Sequence, residues 1–314
     1  MQADDATARL QRRETGGGSR IAVVGLGAIG GVVAAELAAL DRHAVVVCVR
    51  QPLQRLIVQR PADTLDLPIR ALTDPADATP VDWVLLCTKA HQTASVAPWL
   101  AQLCDAGTRV AVLQNGIGHA QRVGPFVGPA TVVPVIVYYN GERFAPDRLR
   151  LRPAGPYELA VQDSADGQAF AALLAGSSLR IQQSGDLVTL AWRKLLINAV
   201  ANPVTALTLQ RQAVFRRADI ADLCLDILEE AASVGRADGA RLTADEPAAI
   251  MRTLLTYPAE AGTSMYFDRL TGRALEVEAL TGAIVARGQE LGVRTPLNGL
   301  LLTLLRAISD SAGA

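Results

Sequence analysis

Apolar residues in the first half of the chain come in short unbroken runs. Ile21 to Val24, Ala44 to Val49, Trp83 to Cys87, Arg109 to Leu113 and Thr131 to Tyr139 have the length and character of strands covered on both faces. Between the first two lies a glycine-rich turn and an Ala-rich helical stretch, Val32 to Leu40, and a second helix is expected from about Thr93 to Cys104. Strands alternating with helices predict a parallel, doubly wound sheet. From Asp147 to Leu159 the pattern turns short, interrupted by Pro and Gly, and antiparallel in style. A helix over Gln168 to Ala175 and a strand over Leu179 to Ile181 close this half.

The periodicity changes near Ser184-Gly185-Asp186. Beyond it the apolar positions repeat with helical spacing, predicting helices over Leu187 to Leu207, Ile220 to Asp238, Ala244 to Leu255, Ala274 to Leu291 and Leu297 to Ile308, with no strand. The predicted fold class is α/β, an N-terminal Rossmann-type doubly wound sheet with a C-terminal all-α domain. Residues 20–186 form the first domain and residues 187–314 the second, after a polar, Gly-rich extension over residues 1–19 that is expected to be disordered. A chain of 314 residues exceeds what one core usually serves, which agrees with two domains.

Charge narrows the function. Thirty basic and 31 acidic side chains leave a net charge of -1, so nothing points to nucleic acid as a partner. The four cysteines lie in apolar runs without a C-x-x-C pair and read as small buried hydrophobes of a reducing compartment. Three histidines, at 43, 91 and 119, form no ligand cluster, so no metal is expected. The first twenty residues lack the apolar core of a signal peptide, and no run reaches the roughly 18 apolar residues of a membrane span. The expectation is a cytoplasmic protein.

Gly25-Leu26-Gly27-Ala28-Ile29-Gly30 follows the first strand and opens the first helix. In that context the spacing is that of a dinucleotide cradle. Gly25 permits the tight turn, Gly27 lets the backbone approach a pyrophosphate, Gly30 lets helix pack on strand, and the exposed amides meet the diphosphate charge. An NAD site would place an acid at the end of the second strand; this chain places Arg50 there, with no acid until Asp63. A guanidinium pairs with a 2'-phosphate, so NADP(H) is the expected cofactor. Lys89 and Gln92, after the third strand, and Gln114-Asn115-Gly116, after the fourth, lie on the carboxyl side where such sheets bind ligands. Turn chemistry alone accounts equally for either segment.

In the second half, Lys194, Asn198 and Asn202 recur at i, i+4 and i+8 among apolar residues, so they line one helix face, with Pro203 expected to kink or end it. A bound polar substrate would satisfy such groups; a lysine reaching to water beside two internally bonded asparagines explains the spacing equally. Ketone reduction needs a proton donor. No tyrosine has a lysine four residues later, which removes the Tyr-x-x-x-Lys solution, and the histidines all fall in the first domain. Lys89 and Lys194 are the only lysines, and Lys194 alone sits on a helix able to face a cleft from the second domain. A desolvated lysine of lowered pKa could act as that acid.

These residues resemble the ketopantoate reductase (2-dehydropantoate 2-reductase) family. The resemblance runs from Gly25–Gly30 through Thr88-Lys89-Ala90, Gln114-Asn115-Gly116, and Lys194 to Asn202 with Pro203 to Leu207. It continues through Thr263 to Asp268, Gly272-Arg273, Glu276 and Gly282, and ends at Gly292 to Asn298. It implies NADPH-dependent reduction of a small 2-keto acid, most naturally ketopantoate, with Lys194 as general acid and Glu276 orienting lysine or substrate. Asn115, Asn198, Asn202 and Ser264 would hold the substrate, Arg50 and Lys89 the adenosine phosphate, and Gln92 and Asn115 would lie at the cofactor. A homodimer through the helical domain is compatible with the family. The family commonly has Thr-Glu-Ile-Asp where this chain has Leu275-Glu276-Val277-Glu278, so the glutamate survives while its neighbours change. A related reductase of another 2-keto or 2-hydroxy acid, or a non-catalytic NADP(H) sensor, are the rival readings.

Overall fold

The computed structural model describes residues 18–311. Apart from Gly18 and Ser19, the expected extension lies outside the described residues. Ser19 is already held, its carbonyl accepting from Ala44 N–H at 3.0 Å. The chain divides into two compact units, one up to Gly185 and one from Asp186 onward.

The first unit begins β1 (Arg20–Val24), α1 (Ala28–Ala39), β2 (Ala44–Cys48), β3 (Arg55–Gln59), β4 (Thr64–Pro68), β5 (Arg70–Leu72) and β6 (Trp83–Leu86). It continues α2 (Ala97–Leu103), β7 (Arg109–Val112), α3 (His119–Val123), β8 (Thr131–Val137), β9 (Asn140–Ala145), β10 (Arg148–Arg152), β11 (Leu159–Gln162), α4 (Ala165–Leu173) and β12 (Ile181–Ser184). Eight strands form one sheet in the order β12-β11-β8-β7-β6-β1-β2-β5. Pairing is parallel throughout except between β11 and β8, so the sheet is mixed rather than wholly parallel. The unbroken apolar runs follow from burial on both faces. Ile21 and Val23 enter one core with Val33 and Leu37, and Ala22 and Val24 enter the other with Leu100 and Val123.

Sequence reading missed β3, β4, β5 and β9. With β9 and β10, β3 and β4 build a separate four-stranded sheet in the order β4-β3-β10-β9. Along β10 the arginines Arg148, Arg150 and Arg152 face out while Leu149 and Leu151 are buried. Leu149 packs where a Cβ on Gly31 of α1 would come within 2.6 Å of it. Thus α1 lies between two sheets, which is why Gly30 to Leu37 are buried without interruption and the helix has no polar face. Its one acid, Glu36, is 1% exposed and accepts from Arg60, at 3.2 Å, and from Ser178 N–H, at 2.9 Å. The expected helix at 93–104 instead starts as a 3-10 turn at Ala94–Val96, preceded by another at Ala90–Gln92, and α2 follows with Pro98 in its first turn.

The second unit contains α5 (Leu187–Thr208), α6 (Ala218–Ala237), α7 (Glu246–Thr256), α8 (Ser264–Leu270), a π-turn (Glu278–Gly282), α9 (Ala283–Leu291) and α10 (Pro296–Ser311). No strand occurs among its described residues. α5 is its axis, burying Trp192, Leu195, Leu196, Ala199, Val200 and Val204. It is capped by Asp186, whose carboxylate accepts from Thr189 N–H at 3.1 Å, and it runs through Pro203 to Thr208. The helix expected from Ala274 forms only from Glu278, first as the π-turn, and α8 was not foreseen.

Candidate functional site

In the first unit the turn after β1 has the backbone its glycines require. Gly25 has φ +96°, and a Cβ there would meet Thr88 N at 2.6 Å. A Cβ on Gly30 would lie 2.0 Å from the Gly25 carbonyl oxygen and 2.9 Å from Cys87 Cβ. Beside Gly27 there is open space to 4 Å. α1 opens at Ala28 without a side-chain cap, so its leading amides are available to an anion. Those features fit a dinucleotide diphosphate. Leu26 is buried, whereas Ala28 and Ile29 are half-buried. Arg50 stands exposed just past β2, and among the described residues it has no ion-pair partner.

The loops after β6 and β7 lie at the same carboxyl edge, through the parallel register of β1, β6 and β7. Lys89, Gln92 and Asn115 are half-buried. Lys89 N–H donates to Gln92 Oε1 at 3.3 Å, so the Gln92 side chain closes the turn that carries the lysine. Sequence reasoning missed Arg122, on α3, whose guanidinium reaches back to the Asn115 loop. Its only sequence signal is a cation soon after the glycines Gly116 and Gly118.

In the second unit α5 brings Lys194, Asn198 and Asn202 onto one face. Asn202 is 3% exposed; its Nδ2 donates to Asn198 Oδ1 at 3.2 Å and its Oδ1 accepts from Met265 N–H at 3.5 Å. Asn202 is therefore bonded within the protein at both ends, while Asn198 is half-buried. Lys194 is half-buried, and desolvation pulls its amine down from the ordinary 10.5 to about 8, against an opposing pull from the carboxylate of Glu276. Glu276 is 5% exposed and directly precedes the π-turn region. Ser264 is the exposed first residue of α8, and Thr263 caps that helix by accepting from Tyr266 N–H at 3.1 Å. Thr263 is itself tied to Thr205 of α5 by a hydroxyl pair at 2.7 Å, so α8 is registered against the Lys194 helix.

Among the described residues no three His, Cys, Asp or Glu side chains are grouped to hold a metal, and no helix is long and apolar enough to cross a membrane. All four cysteines are free thiols, and burial pushes those of Cys48 and Cys224 up to about 12.

A glycine turn feeding an uncapped helix at the carboxyl ends of parallel strands is how dinucleotide-binding oxidoreductases hold a pyrophosphate, and this protein is of that class. Two family models match it: ketopantoate reductase PanE/ApbA over residues 21–164, and the C-terminal domain of the same family over residues 186–309. It is 39% identical to the 2-dehydropantoate 2-reductase of Caulobacter vibrioides, over 91% of this chain and 98% of that protein. It is 38% identical to the enzyme of the same name from Mycobacterium tuberculosis, over 93% and 99%. A dimeric ketopantoate reductase from Staphylococcus aureus superposes with a TM-score of 0.83 at 28% identity, covering 94% of this chain and all of that one. The chain belongs to the ketopantoate reductase family.

Proposed function

We propose that this protein reduces 2-dehydropantoate to pantoate with NADPH, and that the Lys194 amine supplies the proton. The observation that carries the reading is the placement of the Lys194 amine on a helix face that also bears Asn198, within the field of the buried Glu276 carboxylate; burial lowers its pKa to about 8. An ordinary lysine holds its proton too tightly to serve as an efficient acid near neutrality; one near 8 is suited to the task. The names of the relatives support the substrate.

NADPH, when bound, supplies a hydride to the ketone carbon. The residues proposed to hold it are the 25–30 turn at the diphosphate, Arg50 and Lys89 at the adenosine phosphate, and Gln92 and Asn115 nearby. Arg50 favours the 2'-phosphate because a guanidinium pairs with that dianion and gains less from a bare hydroxyl. Lys194 gives its proton to the ketone oxygen as that oxygen gains charge, leaving a neutral amine that solvent reprotonates. Glu276 keeps the amine charged beforehand. Asn115, Asn198 and Ser264 hold the substrate's carboxylate and hydroxyl groups, and Asn202 orients Asn198 through their shared hydrogen bond.

The test is loss of reduced-nicotinamide absorbance with ketopantoate, run against pyruvate and other 2-keto acids and with NADH in place of NADPH. Rapid oxidation of NADPH by ketopantoate is expected. Oxidation only by a different keto acid would move the substrate, and NADPH binding without oxidation by any of them would leave a sensor.

A further inference from the structure

The loops that carry Lys89 and Asn115 are joined by a side-chain network to which the proposed chemistry gives no role. Arg122 Nη1 donates to the Ile117 carbonyl at 2.8 Å, and its Nη2 lies 3.3 Å from both the Asn115 carbonyl and Gln114 Oε1. Gln114 is 5% exposed, and its Nε2 donates to Thr88 Oγ1 at 3.2 Å and to Thr93 Oγ1 at 3.0 Å. One buried amide therefore touches both sides of the turn that contains Lys89. Thr93 also donates to the Ala90 carbonyl at 2.9 Å, and the His119 ring Nε2 bonds the Gln114 carbonyl at 3.1 Å.

Between Asn115 and α3 the backbone passes through Gly116 at φ +93° and Gly118 at φ +68°. Two glycines in the left-handed region lower the barrier to rearrangement of a segment that must present one side chain accurately. A charged donor bonded to two carbonyls of that segment opposes such rearrangement, and hydrogen bonds to a charged group are stronger than neutral ones. The Gln114 bridge extends the same constraint to the neighbouring loop.

We propose that Arg122 is a positioning residue for cofactor and substrate capture. It fixes the backbone that presents Asn115 and, through Gln114 and Thr88, the turn that presents Lys89. This rests on the assignment of Asn115 and Lys89 made above, and the test separates the two readings.

The variants are Arg122→Met, Arg122→Lys, Asn115→Ala and the Arg122→Met/Asn115→Ala pair, each measured for NADPH affinity by cofactor fluorescence and for kcat and KM with ketopantoate. Arg122→Met is expected to raise the NADPH Kd and the ketopantoate KM by about tenfold, the equivalent of one charge-assisted hydrogen bond. Its kcat and the pH at which kcat declines should change little, because Lys194 lies on another element. Arg122→Lys, which can reach one carbonyl, should fall between wild type and Arg122→Met, and it carries the test if the methionine variant does not fold. The double variant should have a ketopantoate KM no worse than Asn115→Ala alone, whereas a merely structural arginine would give multiplied losses. Wild-type Kd and KM in Arg122→Met beside an impaired Asn115→Ala, or multiplied losses in the pair, would overturn the proposal alone. A silent Asn115→Ala would overturn it together with the assignment of Asn115.

Discussion

At the residue scale, the behaviour of Lys194 is set by two opposed influences, burial lowering its pKa and the Glu276 carboxylate raising it, with burial the larger. An acid that must be protonated to act loses activity as pH rises through its pKa, so turnover is expected to fall above about pH 8. In Glu276→Gln the raising influence disappears, the amine deprotonates at lower pH, and the alkaline limb of the pH–rate profile should move to the acid side. A limb that stays in place or moves upward would contradict this pairing. Lys194→Ala should lower kcat by about two to four orders of magnitude, in the range of general acid catalysis, with NADPH affinity retained. Arg50→Ala should cut the preference for NADPH over NADH, measured as the ratio of kcat/KM, chiefly by weakening NADPH. Lys194 stood out in the sequence because the chain has only two lysines. Glu276 was named through the family resemblance alone, since nothing in the spacing from 194 to 276 reports proximity. The spacing of Asn202 fitted either substrate contact or an internal bond; its amide donates to Asn198 and accepts from Met265 N–H of α8, with one N–H and one lone pair left over.

At the element scale, α1 links the glycine turn to the four-stranded sheet. Gly141 of β9 approaches so closely that a Cβ there would lie 2.5 Å from the carbonyl oxygen of Ala28, the first residue of that helix. The neighbour is backbone and cannot swing aside, so Gly141→Ala must displace strand or helix. Overpacking of this sort costs about 1–3 kcal/mol. Urea unfolding should reveal the loss, and NADPH titration a weaker Kd, although residue 141 is distant in sequence from the turn. A variant with unchanged stability and affinity would mean the two layers yield freely. This sheet escaped sequence reading because β4 has no buried residue and β3 buries only Leu56 and Val58, so neither shows the unbroken buried run that marked β1. One clue was present: a helix apolar on every side, as Val32 to Leu37 is but for Glu36, needs a second covering layer. α8 was hidden for a related reason, since 7 residues behind a threonine cap leave little periodicity to detect.

At the scale of the whole molecule, the change from strand-length runs to helical spacing at 184–186 was readable without structure, because burial on two faces and burial on one leave different apolar patterns. The affinity for cofactor should be readable in the stability of the entire chain. A ligand at about 100 times its Kd stabilises the folded state by about 2.7 kcal/mol, so saturating NADPH should raise Tm measurably. Lys194→Ala should keep that rise if its amine serves proton transfer alone. Gly30→Ala, whose Cβ would lie 2.0 Å from the Gly25 carbonyl oxygen, should lose most of it. A rise abolished in Lys194→Ala would instead assign the lysine to cofactor binding.

Trp192 lies two residues before that lysine, 1% exposed, with its indole N–H donating to Asp238 at 2.8 Å. The other two tryptophans, Trp83 and Trp99, belong to the first unit. Replacing both with phenylalanine would leave one intrinsic fluorophore, its emission blue-shifted by burial, reporting on the helical unit alone. Its red shift during denaturation, compared with far-ultraviolet circular dichroism of the full chain, would reveal whether the two units melt together or in succession.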